Sequence, residues 1–163
     1  MHPRAEEFAA ETRERYGFDP EVREFPEGTE TAADAAAAIG CAVAHIASSI
    51  AVRVDDELVV VITSGANRVD LDAVAALRGR DPGAASMADP DAVRGTLGWS
   101  IGGVPPFCHE TEVPTYLDET LLSFEVGGES RSVQESRKMI LLGVHPYDLV
   151  AINQVDELLS QVQ

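Results

Sequence analysis

The nine residues Ile101–His109, IGGVPPFCH, are the stretch whose residue types could do chemistry. Adjacent glycines and adjacent prolines fit neither a helix nor a central strand. Proline fixes φ and lacks an N–H, while glycine lets backbone approach another group closely. The spacing predicts a rigid loop with bare N–H groups near Gly102 and Gly103, suited to holding a carbonyl or carboxylate oxygen. A tight structural connection is the competing reading. Cys108 and His109 are neighbours, and adjacent side chains seldom point at each other. Cys108 is therefore read as a small filler rather than a nucleophile. His109, at the expected pocket mouth, either contacts a substrate or closes a loop hydrogen bond.

Other candidates lie in the loop SGANRVD (Ser64–Asp70), after an apolar strand, a position that often serves a site. Asn67 and Arg68 would face a ligand there, while Asp70 is placed to cap the next helix. Asp118, in YLDE, also reads as a cap. Trp99, beside the glycine loop, reads as core, His45 as a helix-end residue and His145 as structural. No Ser-His-Asp arrangement is evident. No His, Cys and acid cluster has metal-ligand spacing, and neither GxGxxG nor a P-loop occurs, so no metal or nucleotide cofactor is expected.

These residues need elements to position them. Ala5, Phe8, Ala9 and Thr12 share a face at helical spacing, predicting a helix over about 4–15. VREF (Val22–Phe25) is a short strand. Thr29 or Thr31 caps TAADAAAAIG, which Gly40 closes, and its alanine face should lie against a sheet. After a turn around Cys41–Ala47, Ser49–Val54 and Glu57–Thr63 form a hairpin about Asp55-Asp56. LDAVAALRG is a helix stopped by Gly79, and Asp89 or Asp91 starts another with Pro90 in its first turn. TYLDETLL reads as a strand into a helical turn, FEV runs into Gly127-Gly128, MILLGV is a strand, and HPYDLVAI opens a final helix.

With 163 residues and 45% hydrophobic content, the chain suits one folded domain, 1–163. No apolar run is long enough to span a bilayer, and the charged N-terminus lacks the apolar core of a secretion signal. Two cysteines make no disulfide framework, so a reduced cytoplasm is expected. Twenty-eight acids face twelve bases, a formal charge of −16, and Lys138 is the only lysine. Acid excess, scarce lysine and abundant alanine resemble proteins of salt-loving organisms, where a Debye length of about 3 Å at 1 M screens self-repulsion. At ordinary salt the same charge would instead mark a protein that avoids nucleic acid, so DNA is not an expected partner.

The segments TAADAAAAIGCAVAHIASSIAVRV, LVVVITSGANRVDLDAVAAL, TLGWSIGGVPPFCH and PTYLDETLL, in that order, resemble the YbaK/ProX family of free-standing aminoacyl-tRNA deacylases. The resemblance covers roughly Thr31 to Ile152. It implies an α+β fold, a compact domain whose mixed, strongly curved, barrel-like sheet is wrapped by helices. It also implies hydrolysis, in trans, of the ester joining a wrong amino acid to the 3′ end of a tRNA. Such editing is needed because a methylene in an apolar pocket gives only about 1–3 kcal/mol of discrimination. Gly102 and Gly103 match the family glycines and would stabilise the oxyanion. Pro105 and Pro106 would hold the loop, with Pro105, Phe107 and His109 joining Asn67 and Arg68 as substrate contacts. The resemblance implies that the attacking water leans on the substrate's ribose hydroxyl rather than on a protein nucleophile. The partner is the aminoacyl-tRNA 3′ end, with a synthetase able to deliver it.

One position departs from the pattern. Many family members carry lysine in a motif like I-V-K-S-L, and Ser48 stands in its place here. Ser48 could still donate a hydrogen bond, more weakly than an ammonium. Arg53 or Arg68 could supply the charge instead. Otherwise the fold persists without the activity, as a binding module for a small amino acid, an aminoacyl ester or a protein partner. Hydrolysis of some other small ester is a third reading.

Overall fold

Local signals set the first elements of the computed structural model, which describes residues 3–17, 19–26, 28–29, 31–118, 121, 123–126, 129–132, 139–145 and 148–152. Helix α1 (Pro3–Tyr16) buries Ala5, Phe8, Ala9 and Thr12, the face its spacing predicts. Strand β1 (Glu21–Glu24) follows. Helix α2 (Ala32–Ile39) starts at a capping box in which the Thr31 hydroxyl accepts from the Asp34 N–H and the Asp34 carboxylate accepts from the Thr31 N–H. Such a cap is worth about 1 kcal/mol. The helix ends at Gly40, whose φ of 79° is a left-handed conformation that costs glycine nothing. Ala35 and Ala36 pack on Ile46 of the sheet, as expected of the alanine face.

A 3-10 turn at Val43–His45 leads into β2 (Ile46–Val54), and Asp55-Asp56 turns the chain into β3 (Glu57–Ser64). Helix α3 (Leu71–Leu77) begins where Asp70 accepts from the Ala73 N–H. Strand β4 (Ala85–Met87) precedes helix α4 (Pro90–Leu97), whose first N–H groups are capped by Asp89. The remaining strands are β5 (Thr115–Leu117), β6 (Ser123–Val126), β7 (Glu129–Ser132), β8 (Met139–His145) and β9 (Asp148–Ile152). Asp148–Ile152 corrects the expected final helix. It pairs with β8 and with β1, and its Leu-Val-Ala-Ile run suits a strand when partners lie on both sides. Lys138 and the Gly127-Gly128 turn lie outside the described residues.

The fold is α+β with a mixed sheet of order β1-β9-β8-β2-β3-β5, and β4 also pairs with β2. The β2/β8 and β3/β5 pairs are parallel. Alternation sends Ala47, Ala51, Val60 and Ile62 into one core with α1, α4, Trp99 and Phe107. Val52, Val54, Val59 and Val61 enter a second core with Val74 and Ala75 of α3. Each fully buried valine or isoleucine contributes about 1.5–3 kcal/mol. On the side of β2 away from β3, β8 pairs only with Ile46–Ser48 and β4 only with Val52–Val54. Among the described residues no strand pairs with Ser49, Ile50 or Ala51 there, and the sheet has a gap at its centre.

Candidate active site

The glycine loop sits over this gap. The Gly103 N–H donates to the Ser100 carbonyl at 2.9 Å, and Gly102 has φ of 80°. A bonded four-residue turn with a left-handed third residue is a type II turn. The expectation of bare N–H groups is thus corrected at Gly103, whose donor closes the turn. No hydrogen bond within the described chain is formed by the Gly102 N–H. Ile101 and Gly102 are exposed, whereas Gly103 through His109 are buried.

Behind the turn, the loop is tied to itself and to the core. The Trp99 indole N–H donates to the Cys108 carbonyl at 2.8 Å, and the His109 Nε2–H donates to the Pro105 carbonyl at 2.8 Å. Phe107 packs against Phe8 at 5.4 Å and Tyr16 at 5.0 Å between ring centroids. Burial pushes the Cys108 thiol up to about 11, with the Thr12 hydroxyl 3.7 Å away. It is a buried thiol, poorly disposed to attack at neutral pH.

His109 closes the loop hydrogen bond, one of its two expected roles. Burial lowers its pKa from 6.5, opposed by the bond to Pro105. The fold therefore favours neutral imidazole, while the unfolded chain titrates near 6.5. The stabilisation is complete above that value and is lost as pH falls through the lower folded pKa. Urea unfolding should show the midpoint falling as the pH drops below about 6.5, and His109→Gln, which keeps a neutral donor, should flatten that fall.

The sequence candidates do not all gather in one place. Ser48 and Gly102 line one cavity of about 280 Å³, together with Ala51, Met87, Ala88 and Val104. Phe107 and His109 line another, of about 480 Å³, with Tyr16, Arg78 and Tyr116. Pro105 is buried within the loop. Asn67 joins a polar cluster: its Nδ2 donates to Asp118 Oδ2 at 2.9 Å, and Thr63 Oγ1 donates to the same oxygen at 3.0 Å. Asp118 is therefore a carboxylate held by two side chains; its reading as a helix cap concerns Glu119 and Thr120, which lie outside the described residues. Thr63 is the cross-strand neighbour of Ser48, so this cluster adjoins the cavity. Arg53 and Arg68 are exposed, and neither is among the residues lining the Ser48 cavity. Thr63 and Ala51 carry no sequence signal of their own, since only strand register brings them to the site.

Residues 26–133 match the model of the aminoacyl-tRNA editing domain. The chain belongs to that family. The matched segment holds Ser48, Asn67, Gly102 and Asp118, while α1 and the β8–β9 hairpin lie outside it. Among solved structures, a proposed trans-editing enzyme for prolyl tRNA synthetase is 31% identical, with 100% of this chain and 95% of that one covered and a TM-score of 0.82. A protein from work on grafting epitope backbones onto scaffolds is 30% identical, covering 100% of this chain and 96% of that one, with a TM-score of 0.80. A hypothetical protein at 21% identity, covering 96% and 92%, has a TM-score of 0.73 and shares the fold. No curated protein matches the chain. The editing family is one of aminoacyl-tRNA deacylases, and this chain's activity class is hydrolysis of the aminoacyl ester. No helix among the described residues is long and apolar enough to cross a membrane.

Proposed function

We propose that the cavity between Ser48 and Gly102 receives the aminoacyl ester at the 3′ end of a mischarged tRNA and hydrolyses it in trans. The observation that carries this reading is that Ser48 and Gly102, far apart in sequence, line one cavity in an editing-domain chain. Water adds to the ester carbonyl carbon, and the negative charge that forms on its oxygen is met by the Gly102 N–H. The bond from that carbon to the ribose oxygen then breaks. The proton from water passes to the leaving oxygen, giving a free amino acid and a tRNA with its 3′-hydroxyl restored. A neighbouring ribose hydroxyl orients the water, so no protein nucleophile takes part.

In this reading Ser48 donates to the ester or ribose, and Asn67 acts through Asp118. Exposed Arg68 meets the tRNA backbone, and Gly103 fixes the turn. Pro105, Phe107 and His109 hold the loop from behind. The reading also takes in one domain over residues 1–163, strong barrel-like curvature of the sheet, and work in the cytoplasm of a high-salt cell with a synthetase presenting the tRNA. A net charge of −16 disfavours phosphate contacts, which makes delivery by a partner useful.

The test is deacylation of tRNAs carrying alanine, cysteine, serine or proline in molar potassium chloride. Selective hydrolysis supports the reading and names the amino acid; folded protein that cleaves none of them overturns it. A second reading, an inactive binding module, rests on Ser48 replacing the family lysine. Ser48→Lys discriminates the two. Its ammonium would lie across from Thr63 and near the Asp118 carboxylate, which can orient it. A charge-assisted bond is about twice as strong as a neutral one, so kcat/KM should rise about tenfold. An inactive parent made active by this change would establish the binding-module reading.

A further inference from the structure

We infer that the main-chain N–H of Ala51 is a second donor to the substrate's carbonyl oxygen, acting with the N–H of Gly102 across the cavity. This rests on the hydrolytic reading above and adds to it a group on the sheet, where no sequence motif points.

The direction of that N–H follows from the register. The Ile46 carbonyl accepts from Gly65, so even-numbered residues of β2 turn their backbone groups toward β3. The Val60 N–H goes to Pro114, away from β2, which shows that its partner Ala51 does not bond across that pair. Odd-numbered residues of β2 therefore face the other way. Asp55 N–H to Ala84, and Ala88 N–H to the Ala51 carbonyl at 3.1 Å, obey the same parity.

On that side β4 has ended at Met87 and β8 pairs no further than Ser48. A continuing ladder would return a bond from the Ala51 N–H to the Ala88 carbonyl, and that bond is not formed. Ala51 is only 8% exposed. Among the described residues the Ala51 N–H thus meets no acceptor; a buried donor without a partner costs about 1–3 kcal/mol, and such groups are rare enough in folded proteins to need a reason. Here the reason is the cavity. Ala51 lines it together with Gly102, and its small methyl leaves the backbone open to a ligand. A carbonyl oxygen has two lone pairs and can accept two donors. Gly103 cannot be the second, because its N–H is bound to Ser100.

The test removes the N–H, and its one side effect is a weaker acceptor at the Ile50 carbonyl, which faces Val61 of β3. Replacing Ala51 with lactic acid during translation turns the amide into an ester and keeps the methyl. The expected result is a kcat lower by about 10²–10³-fold on the mischarged tRNA that the parent cleaves. KM should be little changed and the thermal midpoint should fall only by the weakened Ile50 ladder bond, and an amide-to-ester replacement at the next odd-numbered residue, Arg53, should not reproduce the fall in kcat. Parental kcat in the ester variant would overturn the inference while leaving the hydrolytic reading in place. A second measurement needs no turnover: the amide spectrum with the stable amide of alanine and 3′-amino-3′-deoxyadenosine. A downfield shift and slowed exchange at Ala51 support the inference. Shifts at Gly102 with none at Ala51 overturn it, and no shift at any residue overturns the hydrolytic reading as well.

Discussion

Gly102→Ala should lower the rate of deacylation about a hundredfold or more while the protein stays folded. Gly102 has φ of 80°, and a Cβ built there meets nothing within 4 Å. The substitution therefore creates no clash, and its cost is the backbone penalty of about 1–2 kcal/mol for a left-handed alanine. The turn has a cheap escape. Types I and II differ mainly by a flip of the central peptide, and type I accepts alanine at the third position. That flip preserves the bond from Gly103 to Ser100 but rotates the peptide between Ile101 and Gly102, whose N–H is the donor aimed at the oxyanion. Losing one such donor costs about 10²–10³ in kcat. Single-turnover deacylation, with a thermal melt to show retained structure, measures both halves of the prediction. Full activity in the folded variant would remove Gly102 from the mechanism.

The same turn shows how much of the site was legible in the sequence. Glycine at 102 and serine at 48 were singled out from residue type and from family resemblance, and they share a cavity. Their meeting was not legible, because it depends on where β8 and β4 stop along β2. Those stops are set by the register of segments roughly 35 and 90 residues away, while sequence patterns report local geometry. Phe107 and His109, close to Gly102 in sequence, line a different cavity, because Phe107 is drawn inward by Phe8 and Tyr16 and His109 turns back to Pro105.

Elements followed the same division. The α1 face, the Thr31 capping box and the Asp55-Asp56 hairpin are decided within a few residues, and each formed where the sequence placed it. β4 has three residues, Ala-Ser-Met, and no pattern to read; it exists because β2 offers it an edge. β9 was read as helix because an apolar run after a proline has no intrinsic period, and only its two neighbouring strands decide the matter.

The second large effect is on stability, and it joins α1 to the site. Phe8→Ala should cost about 3–5 kcal/mol, the usual range for deleting a fully buried aromatic ring. Phe8 is 0% exposed and contacts both Trp99, at 6.3 Å and 80°, and Phe107, at 5.4 Å and 32°. Aromatic pairs add about 0.5–1.5 kcal/mol beyond area alone, so the upper part of that range is expected. Set against a total stability of about 5–15 kcal/mol, the thermal midpoint should fall by about 10 °C or more. Neighbours cannot easily refill the space. Trp99 is fixed by its bond to the Cys108 carbonyl and by the Arg4 guanidinium 3.8 Å from its ring centre. Both of the rings that Phe8 supports flank the glycine loop, although α1 itself lies outside the segment matching the editing domain. The variant assayed well below its melting point therefore separates two roles for this helix. A fall in kcat together with the lost stability means that α1 holds the oxyanion turn in position, whereas unchanged kcat means that the turn is set by its own hydrogen bonds and α1 only covers the core.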